Sequence, residues 1–173
     1  MSNEDISFSL SDFKTRIGGI VRPNLWYAEI TTPSGIAMPD FSFRCEASTL
    51  PGKTIATVDD VGSGPALKLP YDINFNDIEL TIICSDDMAE RKAFEDWTDR
   101  IVDFTGRVGY HNDYAKDKML HLTQMNEKGK KLIKYTFFHV FPIQISPMNL
   151  SWEETNTYQR FTVTLSYRYH IYT

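Results

Sequence analysis

The sequence has no apolar run approaching the roughly 18 residues that a membrane-spanning helix needs. No membrane association is therefore expected. Residues 1–13 carry Glu4 and Asp5 where a secretory leader carries Lys or Arg, and they lack an apolar core segment. The expectation is a chain made, and at first kept, in a cytosol. Cysteine is scarce. Cys45 and Cys84 are too few for a disulfide framework or an all-cysteine metal site, and both read as buried small hydrophobes. Basic charge is not in excess: 18 Lys plus Arg stand against 23 Asp plus Glu, a formal net charge of −5. That balance argues against a domain that binds nucleic acid by neutralising phosphates, and against a binder of anionic membrane surfaces. Internal repeats, low-complexity tracts and charge blocks are also missing.

Catalytic constellations are missing too. None of His111, His121, His139 and His170 lies three or four residues from another His or a Cys, and no His-Glu-x-x-His pattern occurs. They read as isolated strand or loop histidines. Gly52-Lys53-Thr54 matches only the end of a phosphate-binding loop. Position 47, where the motif needs Gly, is Ala47, and the following residues are β-prone rather than helical. Gly62-Ser63-Gly64-Pro65 precedes no helix and reads as a loop tip. No Gly-x-Ser-x-Gly elbow exists. Glu153 and Glu154 follow Trp152 in a polar turn and read as solvated. The glycosylation sequon Asn149-Leu150-Ser151 has no secretion signal to give it meaning. The expectation is a non-enzyme without cofactor or metal.

What is present suits one β-rich domain. The chain has 173 residues, 42% hydrophobic and 24% charged, enough to bury a core. Residues 1–22 form a polar N-terminal arm with Phe8, Leu10, Phe13 and Ile17, broken by Gly18 and Gly19. It is either a short docking helix or a frayed terminus. Residues 24–32 read as a first strand, and Pro33, Ser34 and Gly35 as a turn. Residues 40–47 alternate Phe41, Phe43 and Cys45 against Ser42, Arg44 and Glu46, which predicts a strand buried on one face. Residues 53–69 differ: a β-prone stretch, then the turn formers Asp59, Asp60, Gly62, Gly64 and Pro65, then an extended piece. That pattern predicts an arm or hairpin leaving the main body.

Residues 75–84 place Ile78, Leu80 and Ile82 on one face and Asp77, Glu79 and Thr81 on the other. Ser85-Asp86-Asp87 then offers acceptors to a helix over about residues 87–102. Asp87 and Glu90 resemble a capping box. Ala93, Phe94, Trp97 and Ile101 make its apolar stripe, predicted to pack on a sheet. Residues 118–125 and 131–141 read as a hairpin through Asn126-Glu127-Lys128-Gly129-Lys130, and Pro142 and Pro147 punctuate the connection that follows. From 158 to 172 the odd positions Phe161, Val163, Leu165, Tyr167, Tyr169 and Ile171 are apolar. The even positions Arg160, Thr162, Thr164, Ser166, Arg168 and His170 are polar. A straight strand of that length would span roughly 50 Å, so it should bend across two sheets or carry a bulge. The sum is a mainly β fold: two antiparallel sheets packed as a sandwich or barrel, one flanking helix and a long protruding arm.

These residues also carry a resemblance. Arg22-Pro23-Asn24-Leu25 followed by Trp26-Tyr27-Ala28-Glu29-Ile30 resembles the opening of the tail tube proteins of contractile-tailed bacteriophages. Phe41-Ser42-Phe43-Arg44-Cys45-Glu46-Ala47, ending in Leu50-Pro51, is similar to that family's second strand. Phe75-Asn76-Asp77-Ile78-Glu79-Leu80-Thr81, with Asp86-Asp87 and Ala89, Lys92, Phe94 and Trp97, resembles its strand-and-helix block. Leu150-Ser151-Trp152 and Phe161-Thr162-Val163-Thr164-Leu165 resemble its ending.

The resemblance covers most of residues 22–168 and implies a single domain over 23–173. It implies a structural virion protein whose hexameric rings stack into the inner tube of a contractile tail. DNA would pass through the lumen without sequence-specific binding. The implied partners are the chain itself, the sheath protein, a baseplate or initiator protein and a tail terminator. Assembly in the host cytoplasm and residence in the phage tail follow. A baseplate hub or tube-initiator subunit, or the tube of a contractile injection or type VI secretion system, is the alternative. A small-molecule or carbohydrate-binding sandwich is favoured only by the aromatic content.

On this resemblance Thr54, Ile55, Val58, Asp59, Asp60, Val61, Leu67 and Leu69 belong to an arm that reaches the neighbouring ring. Phe94, Trp97 and Ile101 pack the helix on the barrel. Thr162, Thr164 and Ser166 are candidates for the lumen face, although Arg160 and Arg168 on the same face count against it.

Overall fold

The computed structural model describes residues 21–38, 40–60, 66–153 and 157–173. The expectations for Phe8, Leu10, Phe13, Ile17, Val61 and Glu154 lie outside the described residues.

Alternating apolar residues build the centre of the first sheet. β5 (Ile78–Ile83) buries Ile78, Leu80 and Ile82 completely and leaves Glu79 exposed. β9 (Arg160–Ser166) buries Phe161, Val163 and Leu165. The two strands pair antiparallel with Leu80 opposite Val163 and Ile82 opposite Phe161, so one face is continuously apolar. β2 (Cys45–Ser48) flanks β5, and β8 (Phe141–Ile145) flanks β9. The second sheet has the order β1-β6-β7-β10, made of β1 (Trp26–Ile30), β6 (Met119–Met125), β7 (Lys131–Phe138) and β10 (Tyr169–Tyr172). It contributes Ala28, Leu120, Leu122 and Phe137 to the shared core. Each fully buried large side chain of this kind contributes about 1.5–3 kcal/mol relative to exposure. The β6–β7 hairpin turns through Asn126, whose side-chain oxygen accepts from the Lys128 and Lys130 N–H groups.

One expected strand is partly helical. Residues 41–44 form the turn α1 (Phe41–Arg44), and the strand begins only at Cys45. Asp40 takes a left-handed conformation, φ 57°, and its carbonyl accepts from the Phe43 and Arg44 N–H groups. The Ser42 hydroxyl donates to the Ala28 carbonyl at 2.7 Å. The two local backbone bonds close the turn, and the Ser42 bond to the distant Ala28 carbonyl anchors it against β1. Phe41 is therefore buried, while Phe43 is 86% exposed.

The helix α2 (Ala89–Ile101) lies where its stripe predicts, but its N-terminus is built differently. Met88, at φ 57°, occupies the cap position. Glu90 reaches back to the Ser85 N–H at 3.0 Å and hydroxyl at 2.6 Å, while Asp87 accepts from the Ala89 N–H at 3.2 Å. The expected reciprocal Asp87–Glu90 box does not form. A further helical turn, α3 (His111–Tyr114), lies between the predicted helix and the predicted strand at 118–125, where no element is expected.

The C-terminal segment does bend across the two sheets, and the bend inverts its faces. β9 belongs to the first sheet and β10 to the second. Tyr167 is buried at the corner, and beyond it His170 is buried while Tyr169 and Ile171 are exposed. His170 pairs opposite Phe137, whose ring faces the core, so the even residue turns inward there. Tyr169 and Ile171 are thus surface residues, contrary to the alternation. A one-residue change of register moves every following side chain to the other face. Pro142 also sits within a strand rather than in a connection. β8 is an edge strand with a register shift beside the proline, a position where a missing N–H is tolerated. Cys45 is buried as expected, but Cys84 is only half-buried, its Sγ 3.7 Å from the Met148 Sδ.

Candidate assembly interface

The segment expected to leave the body does so as a hairpin. β3 (Lys53–Asp60) and β4 (Leu67–Phe75) form a two-stranded sheet of their own. Thr54, Ile55, Val58, Asp59, Asp60, Leu67 and Leu69 all lie on it. It runs beyond the expected residue 69 to Phe75, taking in Tyr71 and Ile73, which lie outside every predicted element, and Phe75, predicted as the start of the next strand. Their signal was present, because odd positions from 67 to 75 are all apolar or aromatic.

The hairpin is held at its base. The Phe75 ring lies 5.8 Å from Tyr167 and 5.3 Å, edge-on, from His170. The Lys53 ammonium sits 5.9 Å from the Phe75 ring centroid and 6.0 Å from that of Tyr172. Burial, helped by Lys53, pulls the His170 pKa below its ordinary value, which favours the neutral ring in this aromatic setting.

Beyond the base the apolar residues are exposed on both faces. Ile55 pairs opposite Ile73, and Val58 opposite Leu69. Ile55 and Val58 are an odd number of residues apart on one strand, so they point to opposite faces. Ile73 and Leu69 are an even number apart and would share a face in a regular strand. The register shift between Ala56 and Thr57 leaves Tyr71 unpaired and resolves the conflict. One apolar pair therefore faces one way near the base. Val58, Leu67 and Leu69 face the other way near the tip. All of these residues are exposed in the single chain.

The helix residues expected to pack do meet the core. Phe94 and Trp97 are fully buried and stack at 6.2 Å, and Phe94 meets the edge of Phe161 at 6.2 Å. Ile101 is half-buried beside them. The Arg91 guanidinium ties the helix to the end of β8 by donating to the Ser146 carbonyl at 3.2 Å. Lys92, Glu95, Asp96, Asp99 and Arg100 remain exposed.

Thr162, Thr164 and Ser166 lie half-buried on the face of β9 away from the core. Thr162 stands opposite Thr81, and Thr164 opposite Glu79 and Gln144. The exposed Arg160 lies 3.5 Å from Glu46. Arg168 falls beyond the corner, off this strand.

Among the described residues no group of three or more His, Cys, Asp or Glu could hold a metal ion. His111 and His139, remote in sequence, bring their ring centroids to 5.7 Å. A cavity of about 220 Å³ opens between Pro23, Trp26, Leu50, Leu122 and Tyr135, with Ser48, Thr123 and Gln124 also in its lining and no charged side chain among these residues.

Comparisons with known proteins agree with this geometry. A family model described as phage tail tube protein matches residues 11–173. The chain is 23% identical over 163 residues to the tail tube protein gp19 of Enterobacteria phage T4 and 25% to that of Enterobacteria phage T6. Each alignment covers 88% of this chain and 91% of the relative. In fold it is similar to a chain of the sheath–tube complex of the extracellular contractile injection system PVC, with a TM-score of 0.67 at 15% identity. That match covers 96% of this chain and 99% of the other. A chain in the structure of the PVC sheath/tube terminator matches at a TM-score of 0.68 and 14% identity, over 91% of this chain and 99% of that one. With a family match over nearly its whole length, and a β-sandwich that bears a separate apolar hairpin, the chain belongs to the phage tail tube proteins, structural components of tails and related particles rather than enzymes.

Proposed function

We propose that this chain is the repeating subunit of the inner tube of a contractile tail. Hexameric rings stack axially, the β3–β4 arm joins one ring to the next, and the lumen conducts DNA at ejection. The observation that carries this reading is the arm itself: apolar side chains exposed on both faces of a hairpin that forms its own sheet. Exposed apolar surface of this kind marks an interaction site. A heterologous contact that closes makes a ring, and one that repeats makes a filament.

Residues 23–173 form the tube domain in this reading, with residues 1–22 as an arm. Thr162, Thr164 and Ser166 line the lumen, where an uncharged polar row with few cations would let a polyanion slide. The exposed charged face of α2 meets a neighbouring subunit or the sheath. Baseplate and terminator proteins bound the ends, and assembly takes place in the host cytoplasm. Similar folds occur in a sheath–tube complex, a sheath/tube terminator and the anti-feeding prophage baseplate, which favours such partners here. An initiator subunit of the same fold would form single rings.

Electron microscopy of the purified chain at rising concentration tests this. Hollow tubes or stacked rings are expected. Replacing residues 55–73 by an Asn-Gly turn, which keeps Lys53 and Phe75, is expected to leave folded rings that do not stack. Tubes that grow without the arm would overturn its role.

A further inference from the structure

After α2 the chain makes a second, smaller ribbon. Val102 and Val108 pair antiparallel, and the Gly109 N–H donates to the Ile101 carbonyl at 2.8 Å. The turn between them is pinned. One Asp103 carboxylate oxygen accepts from the Thr105 N–H at 2.8 Å, the Thr105 hydroxyl at 2.5 Å and the Arg107 N–H at 3.0 Å. Gly106 supplies the left-handed residue, φ 80°. Gly109 lets the ribbon fold against the helix end, since a Cβ there would lie 2.1 Å from the Arg100 carbonyl oxygen.

This stiff scaffold displays apolar side chains to solvent. Val102 and Val108 oppose each other and so share a face, and Tyr110 joins them by alternation. Val108 is 68% exposed and Tyr110 82%, and Phe104, at the turn, is 100% exposed. A rigid apolar patch binds with little ordering penalty.

We propose that this ribbon is the receptor for the arm tip of a second copy of the chain. The inference rests on the reading that the arm joins rings, and it names where the arm lands. Two features select this occupant. Val58, Leu67 and Leu69 form an equally uncovered apolar face at the arm tip. On the Val58 face the tip also carries exposed Asp60, opposite Leu67, whereas Asp59 stands opposite Lys68 on the other face. The ribbon offers exposed Arg107, and the one Asp103 carboxylate oxygen that accepts from Thr105 and Arg107 faces its own turn. Two different, complementary surfaces on one chain give a head-to-tail contact that repeats without end.

The test uses full-length protein carrying Cys84→Ser. Val58→Cys with Val108→Cys, oxidised in assembled tubes, is expected to give a ladder of disulfide-linked multimers that neither single variant gives. Arg107→Glu and Phe104→Ala are each expected to raise the concentration needed for tube growth about tenfold or more. Asp60→Arg should do the same, and adding Arg107→Glu to it should restore growth. Retained cooperative unfolding of each variant shows that it folds. If arm excision blocks stacking but the ribbon variants polymerise as wild type and no ladder forms, the arm lands elsewhere and this inference is overturned alone. A Phe104→Cys self-cross-link between copies, or loss of sheath binding with tube growth intact, would overturn it in favour of another occupant. If arm-excised protein still forms tubes, the stacking reading fails and the inference falls with it.

Discussion

The indole N–H of Trp97 donates to the backbone carbonyl of Tyr114 at 2.9 Å, joining the flanking helix to the turn that leads into β6. The ring is fully buried and stacked on Phe94. Trp97→Ala is expected to destabilise the chain by about 3–5 kcal/mol. Trp97→Phe keeps most of the packing but leaves the carbonyl unpaired, so a smaller loss of about 1–3 kcal/mol is expected. Urea unfolding of both variants checks the order.

Glu90 predicts an acid sensitivity. Burial pushes its carboxyl up, but the Ser85 hydroxyl and N–H, with Arg44 beyond, pull it further down, to a net position below the ordinary 4.5. A depressed carboxylate contributes stability above its unfolded pKa and loses it as pH falls through the folded value. Glu90→Gln is therefore expected to lower the urea midpoint at neutral pH. The gap to wild type should close as the pH drops below 4.5. A gap that does not change with pH would refute this account.

Thiol labelling separates the cysteines. Burial pushes the Cys45 thiol up to about 12. It is expected to resist alkylation at mildly alkaline pH until the chain unfolds, since the thiolate is the reactive species. The half-buried Cys84 is expected to label in the native state, slowed because burial and Glu90 raise its pKa. Mass spectrometry of protein labelled with and without urea distinguishes the two sites.

Deleting Tyr71 tests the two-faced arm. Without the unpaired residue, Leu69 and Ile73 become an odd number apart, so a regular ladder keeps Leu69 opposite Val58 and Ile73 opposite Ile55, each pair on its present face. The core is expected to melt as before, because the arm forms a separate sheet, and tube growth is expected to persist. Loss of growth on deletion would show that the bulge itself, and not only the division of apolar pairs between faces, takes part in assembly.

Much of the fold was legible. Ile78, Leu80 and Ile82 alternate against polar neighbours, and a strand with one buried face is the simplest structure with that period. Ala93, Phe94 and Trp97 share one helical stripe for the same kind of reason. The arm was legible as turn formers between β-prone stretches. Residues 41–45 were not legible, because the pattern apolar-polar-apolar fits a strand and also suits the turn that the Ser42–Ala28 hydrogen bond selects. The ribbon at 102–110 was missed as a surface. Its exposed Val108 and Tyr110 are residue types that ordinarily signal core, and Gly106 signalled only where the helix stops.

The amino-acid order by itself determined periodicity, and with it the strand-rich class, the single long helix and the departure of the arm. These depend on neighbours two to four residues away. Which way each face points was decided only by tertiary structure. From Phe161 to Ile171 the sequence alternates without a break, yet Tyr169 faces solvent and His170 the core, because the chain changes sheets at Tyr167 and must match Phe137 on β7. The arm repeats the lesson. Leu67, Leu69 and Ile73 share one parity, and only pairing with β3, through the bulge at Tyr71, divides them between two faces. Alternation is a local property of one strand, whereas register is set by the partner strand, which lies far away along the chain.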